Sequence, residues 1–244
     1  YAGSPYTKNG ITYGLHGPFS NTPAQFAGAR RVFEGEEALL EVTGDIRQSQ
    51  VFGENLVLSR RLVLETETNA LRIEDTVENQ GFLTSPLMLL YHINFGYPLL
   101  DAGARVYTSP GTVTPRDEHA RAGLPRWREM EEPAPDRPEE CFFHTEMADR
   151  AFAMLHNARL GIAAVIHYDG RQLPLLCEWK CMRAGDYALG LEPTTCGVLS
   201  REEAEKNGSL QTLQPGERRA FSLRLEFTDE PARIQDLIRQ SGEG

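Results

Sequence analysis

Phe221-Ser222-Leu223-Arg224-Leu225-Glu226-Phe227-Thr228 alternates four apolar side chains with four polar ones. Successive side chains of a strand point to opposite faces, so this is the pattern of a half-buried β-strand. The same alternation recurs outward from this stretch. Leu71, Ile73 and Val77 share a parity within residues 71–78, and Leu56-Val57-Leu58 followed by Leu62-Val63-Leu64 reads as one longer strand interrupted by Arg60 and Arg61. Gly53-Glu54-Asn55 supplies a turn before it. Further strands are expected over residues 39–43, 86–95, 105–108, 151–155, 162–168 and 187–191, separated by Gly, Pro, Asn and Asp clusters. Repeated short strands with that punctuation predict an all-β sandwich or barrel. Helix is expected only at residues 231–239, with Pro231 in the first turn and Ile234, Leu237 and Ile238 on one side, and as a turn over residues 201–206 ended by Asn207-Gly208. Residues 125–140 are proline-rich and acidic without a hydrophobic period, and read as a long surface loop of the kind that lines binding sites.

At 244 residues the chain is long enough to bury a substantial core, and one domain over residues 1–244 is expected. A net charge of −10 and the lack of a Lys/Arg stripe argue against a general polyanion binder, and no nucleic-acid partner is expected. No apolar run is long enough to cross a bilayer, and residues 1–21 lack the regions of a signal peptide, so no membrane partner and a cytoplasmic location are expected. The four cysteines include Cys177-x-x-x-Cys181, but a structural zinc site needs a second matched pair. They read as free thiols, with Cys177 and Cys181 on one strand face as small core residues, and neither a metal nor a cofactor is expected. The chain opens at Tyr1 and leads almost at once into His16, which raises the expectation of a domain lacking N-terminal strands.

Three phrases carry candidate chemistry. In Tyr91-His92-Ile93-Asn94-Phe95-Gly96, His92 and Asn94 face the same way and Tyr91, Ile93 and Phe95 the other. His92 reads either as a partnered core histidine or as a polar group at a sheet end, where imidazole suits a general acid. Glu192, in Leu191-Glu192-Pro193, has the parity opposite to Tyr187, Leu189 and Leu191 and is expected at a strand end or just beyond it. It is a solvated glutamate if that face is wet, and a base of raised pKa if the face is concave and dry. His16 lies between glycine neighbours, in Gly14-Leu15-His16-Gly17, where backbone approaches closely or the ring is simply exposed.

Taken together and in this order, the three phrases resemble the aldose 1-epimerase, or galactose mutarotase-like, superfamily. Thr43-Gly44-Asp45, Phe52-Gly53-Glu54-Asn55-Leu56 and residues 74–79 are similar to its paired strands and turns, so the resemblance spans nearly the whole chain. The wording around His16, His92, Glu178-Trp179-Lys180 and Glu192 is most similar to an uncharacterised aldose 1-epimerase-like branch. The resemblance implies an antiparallel β supersandwich with a sugar-binding concave face. It also implies that Glu192 takes the proton of the anomeric hydroxyl, that His92 protonates the ring oxygen, and that His16 orients the sugar.

Two features depart from the family. No arginine precedes His16, which fits either an upstream segment or a changed pocket, and the family's mid-chain aspartate has no secure match. His144 and Glu140 are offered as substitutes or as solvated strand-edge residues. Lys180 beside Trp179 reads as a cation for an acidic sugar next to a stacking platform, or as a surface lysine beside a core tryptophan. Asn94, Asn21 and Arg47 are further polar contacts. The function expected is cofactor-independent interconversion of sugar anomers, with a sugar or acidic sugar derivative as the small-molecule partner and the oligomeric state open. The alternatives are a non-catalytic carbohydrate-binding protein and a metal-assisted sugar isomerase that uses His16, His92 and Glu192 as ligands. A glycosidase is disfavoured, since it needs two facing carboxylates and only Glu192 has a positional case.

Overall fold

The computed structural model describes residues 1–8 and 10–243. Its strands are β1 (Tyr6–Lys8), β2 (Ile11–Tyr13), β3 (Gln25–Glu34), β4 (Glu37–Ser49), β5 (Asn55–Glu65), β6 (Ala70–Asn79), β7 (Ser85–Leu87), β8 (Ile93–Phe95), β9 (Arg105–Thr108), β10 (Thr112–Pro115), β11 (Glu140–Thr145), β12 (Arg150–Asn157), β13 (Ile162–Asp169), β14 (Leu175–Cys181), β15 (Ala188–Thr194), β16 (Gln211–Leu213) and β17 (Arg218–Thr228). The helices are α1 (Glu118–Gly123), α2 (Arg201–Lys206) and α3 (Pro231–Gln240). Backbone contacts divide the chain into two compact units, Tyr1–Leu90 with Thr195–Leu223 and Tyr91–Thr194 with Arg224–Gly244.

In the first unit β3, β4, β5 and β6 form an antiparallel meander, and β6 borders the first part of β17. β5 runs unbroken through Arg60 and Arg61, where the sequence suggested an interruption. The reason lies in the register: Arg60 stands opposite Asp75 and grips its buried carboxylate at 2.9 and 2.7 Å, while Arg61 stands opposite Glu74 at 2.7 Å. Cross-strand pairing thus satisfies both cations without ending the strand. A small core gathers Tyr13, Met88, Cys196 and Ala204, with Leu90 and Leu210 packed on it. α2 starts at a capping box in which the Ser200 hydroxyl accepts from Glu203 N–H and the Glu203 carboxylate accepts from Ser200 N–H.

The expected strand over residues 86–95 is two short strands, β7 and β8. Between them the backbone bonds side by side with residues 193–195 instead of extending a ladder. Thr195 N–H donates to Leu89 O at 2.9 Å in the first unit, and Tyr91 N–H donates to Pro193 O at 3.0 Å in the second.

The second unit holds a five-stranded antiparallel sheet in the order β10-β11-β14-β15-β8, and a group in which β13, β12 and β9 follow the last part of β17. α3 covers one face of that group, laying Ile234 and Leu237 on Tyr107, Phe152, Met154, Ala163 and Val165. The opposite face of β12 and β13 is equally buried at Ala153, Leu155, Ala164 and Ile166, so both read as near-continuous apolar runs. Burial of each large aliphatic side chain contributes about 1.5–3 kcal/mol.

β15 continues through Pro193 to Thr194, so Glu192 lies inside the strand and not at its end. Pro193 is tolerated because N and C=O of an antiparallel residue point the same way. Its carbonyl accepts from Tyr91 on the side away from β14, and no ladder bond to β14 is lost. Among the described residues no helix is long and apolar enough to cross a membrane.

Candidate active site

Directly opposed residues of antiparallel strands share a face. In the five-stranded sheet the register sets Glu192 opposite Cys177, Gly190 opposite both Trp179 and Asn94, and Trp179 opposite Cys141. One face of the second unit therefore carries Glu192, Asn94, Cys177, Trp179 and Cys141 together, and His92, just ahead of β8, joins them.

Glu192 is 2% exposed, and its Oε1 lies 3.1 Å from His92 Nδ1. That approach is an ion-pair distance without hydrogen-bond alignment; the aligned contact of Nδ1 is Asn94 Oδ1 at 2.9 Å, which places a proton on Nδ1. Gly190 makes the arrangement possible. A Cβ there would fall 2.3 Å from Glu192 Oε1 and 3.3 Å from Asn94 Oδ1, so the carboxylate lies in the space left by the missing side chain. Burial pushes the Glu192 carboxyl up to about 8, against a downward pull from the Cys177 thiol that hydrogen-bonds it, with the negative charge of Glu139 adding a further upward push. A carboxyl that keeps its proton to near pH 8 beside an imidazole is suited to proton exchange with a substrate oxygen.

Trp179 frames the group. Its ring meets His92 edge-on, with centroids 5.9 Å apart at 73°, and its Nε1–H donates to Glu139 Oε2 at 2.6 Å. The Arg116 guanidinium donates to Glu139 Oε1 at 2.9 Å and to Asp117 at 3.0 Å. Partial burial would raise the Glu139 carboxyl, but the Trp179 and Arg116 donors outweigh it and hold Glu139 below the usual glutamate range. Two neighbouring carboxyls are thus driven in opposite directions.

Lys180 and His144 fall on the other face of the same sheet, by the period-two alternation that puts Trp179 on the first. Lys180 is 1% exposed; its Nζ donates to Arg126 O at 3.3 Å and lies 3.6 Å from Glu140 and 3.8 Å from Glu131. The expectation of a Lys180 cation beside the Trp179 platform is corrected accordingly. His144 is buried against Glu178, Nε2 to Oε2 at 3.0 Å, under the edge of Trp127. Glu140 is likewise buried, its carboxylate occupying the place where Gly123 has no side chain. These charges sit beneath the segment 116–139, which covers this face, so they are neither solvent-facing nor part of the Glu192 group.

The remaining candidates belong to the first unit. His16 has a left-handed backbone, φ 56°, and its N–H donates to Gly3 O at 2.9 Å. Asn21 is exposed at the end of a single 3-10 turn. Arg47 is exposed and held by Asn55 and by Gln80, the latter at 2.9 Å. Among the described residues no group of three or more His, Cys, Asp or Glu side chains is placed to hold a metal ion.

The family profile for a domain of unknown function, DUF4432, matches residues 1–227. The chain belongs to the DUF4432 family. This DUF4432 chain is similar, at 26% identity and TM-score 0.91, to a Klebsiella pneumoniae protein named a "putative aldose 1-epimerase"; the match covers 100% of this chain and 65% of that one, so the chain spans about two thirds of its relative's length. A galactose mutarotase-like protein from Clostridium acetobutylicum shares the fold at 16% identity and TM-score 0.61, covering 93% of this chain and 75% of that one. A galactose mutarotase related enzyme from Lactobacillus acidophilus shares it at 15% identity and TM-score 0.60, covering 92% and 78%. No curated protein matches. The fold of the DUF4432 chain is all-β and galactose mutarotase-like.

Four residues of the site in this DUF4432 chain escaped the reading of its sequence. Gly190 had a signal, since a glycine inside a strand marks a close approach by another group. Cys177 had one as well: it is an odd-parity neighbour of Trp179. Glu139 and Arg116 had none, because both flank the strands and are brought to Trp179 only by the path of the 116–139 segment.

Proposed function

We propose that this chain interconverts the anomers of an aldose by acid/base ring opening. The observation that carries the proposal is a buried carboxyl of raised pKa, Glu192, set 3.1 Å from an imidazole on one sheet face. Ionised Glu192 removes the proton of the anomeric hydroxyl as the bond between C1 and the ring oxygen breaks, and protonated His92 gives its proton to that ring oxygen. The open-chain aldehyde rotates about its first carbon–carbon bond, and the two groups reverse their roles to close the other anomer. Asn94 fixes the His92 ring, and Trp179, pinned by Glu139, offers a stacking surface for a sugar. Likeness to the Klebsiella protein supports the same reading. The test is optical rotation of freshly dissolved single anomers, neutral and acidic, with and without the protein. Acceleration over buffer that falls by about 100-fold or more in Glu192→Gln is expected. Sugar affinity without any acceleration would favour a carbohydrate-binding protein instead.

A further inference from the structure

Glu192 has one neighbour that the ring-opening scheme does not use. Cys177 stands directly opposite it in the β14–β15 register, on the same face, which sets its thiol against the carboxylate. Behind it, Cys141 Sγ lies 3.3 Å from Cys177 Sγ, and both thiols are free and buried. We infer that Cys177 is a positioning residue for Glu192, and that Cys141 holds the Cys177 thiol in the orientation that donates to the carboxylate.

The chemistry follows from what each group can give. A carboxylate only accepts, so the contact with Glu192 uses the Cys177 S–H, which leaves the Cys177 sulfur to accept from Cys141. The donors then run in one direction, from Cys141 to Cys177 to Glu192. Contact with the Cys141 thiol, burial, and the negative charge of Glu192 all hold Cys177 as a thiol, well above its ordinary range. A buried thiol of that kind is inert as a nucleophile and dependable as a donor. The groups that face Glu192 are His92 and Asn94 at β8, Trp179 and Cys177 on β14, Cys141 on β11 and the Glu139 carboxylate ahead of it. His92 Nδ1 lies 3.1 Å from Oε1 without hydrogen-bond alignment, so the Cys177 thiol, directly opposite in the register, is the donor left to steady the ionised base against burial and against Glu139. Gly190 leaves room for the carboxylate on one side, and the thiol fixes it on the other.

This inference rests on Glu192 being the base of the proposed reaction, but its test does not need turnover. The Glu192 carboxyl carbon, labelled with 13C, is titrated by NMR in the parent protein, Cys177→Ala, Cys177→Ser and Cys141→Ala. Loss of one thiol donor raises the Glu192 midpoint by roughly half to one pH unit in Cys177→Ala. Cys177→Ser restores it toward the parent, and Cys141→Ala gives a smaller rise of the same sign. A residue that merely fills space would move none of these, so identical midpoints in the parent, Ala and Ser proteins overturn the inference. Should Cys177→Ala fail to fold, the Ser and Cys141→Ala proteins decide it in the same way. The two readings fail separately. Unchanged midpoints in a protein that accelerates mutarotation remove Cys177 and leave the function, whereas shifted midpoints without turnover on any sugar keep the positioning role and remove the function.

Discussion

Replacing Glu192 with Gln keeps the shape of the side chain and removes its charge, and this exposes how much the fold resists ionisation there. The carboxyl is raised from 4.5 to about 8, chiefly by burial. The native state therefore holds this proton more tightly than the unfolded chain does. Its contribution to stability is fully present below the unfolded value and is lost as pH rises through the native one. Between pH 5 and pH 9 the linkage relation gives a loss of about 4 kcal/mol for the parent protein, at about 1.4 kcal/mol per pH unit across the middle of the range. Glu192→Gln has nothing to titrate at this position. Urea unfolding of both proteins at the two pH values yields a double difference in which the titrating groups remote from Glu192 cancel. The variant should gain about 4 kcal/mol relative to the parent at pH 9, or, in a chain of this length, about 8–16 °C in melting temperature. Parallel stability profiles, with a double difference within about 0.5 kcal/mol, would show that Glu192 titrates at its ordinary value and that the buried-base argument is wrong.

Three other outcomes follow from the same geometry. Gly190→Ala places a Cβ 2.3 Å from Glu192 Oε1, so the carboxylate must leave its place; a loss of about 1–3 kcal/mol in unfolding free energy should accompany a larger loss of anomerisation rate, measured on the folded variant. Trp179→Phe removes the Nε1 donor from Glu139 and should raise the Glu139 midpoint in a carboxyl NMR titration, with sugar affinity reduced less than in Trp179→Ala. Lys180→Met strands the buried Glu140 carboxylate and should cost about 3–5 kcal/mol in urea unfolding, while sugar affinity at a temperature where the variant is folded stays unchanged; a selective loss of affinity for acidic sugars would return Lys180 to the binding face.

How much could be read beforehand depended on what each strand face meets. The alternation at residues 221–228 was legible because Phe221 and Leu223 are buried beside an exposed Ser222, but it reverses past Leu225, where Glu226 is buried in ion pairs with His167 and Arg233 and Phe227 is exposed. Glu192 and Trp179 were legible as candidates, but not as companions, because their register is a long-range fact: β14 and β15 could be paired only once the hairpin between them was known. Lys180, His144 and Glu140 misled for a single reason. Polar residues at alternate positions read as a solvated face, whereas here the 116–139 segment lies over them and converts that face into a buried network of ion pairs. The helix α1, just ahead of the stretch read as a loop, was also not anticipated; its start is marked by Asp117 accepting from Ala120 N–H at 2.9 Å. That cap is visible in Asp117-Glu118-His119-Ala120 once a helix is sought there.

The most direct test of the acid/base assignment is a crystal structure of the protein with an aldose bound. The account predicts the anomeric oxygen within hydrogen-bond distance of the Glu192 carboxylate and the ring oxygen within reach of the His92 imidazole, with Trp179 against a face of the sugar. A sugar bound away from Glu192, or bound there with neither oxygen directed at the pair, would contradict it.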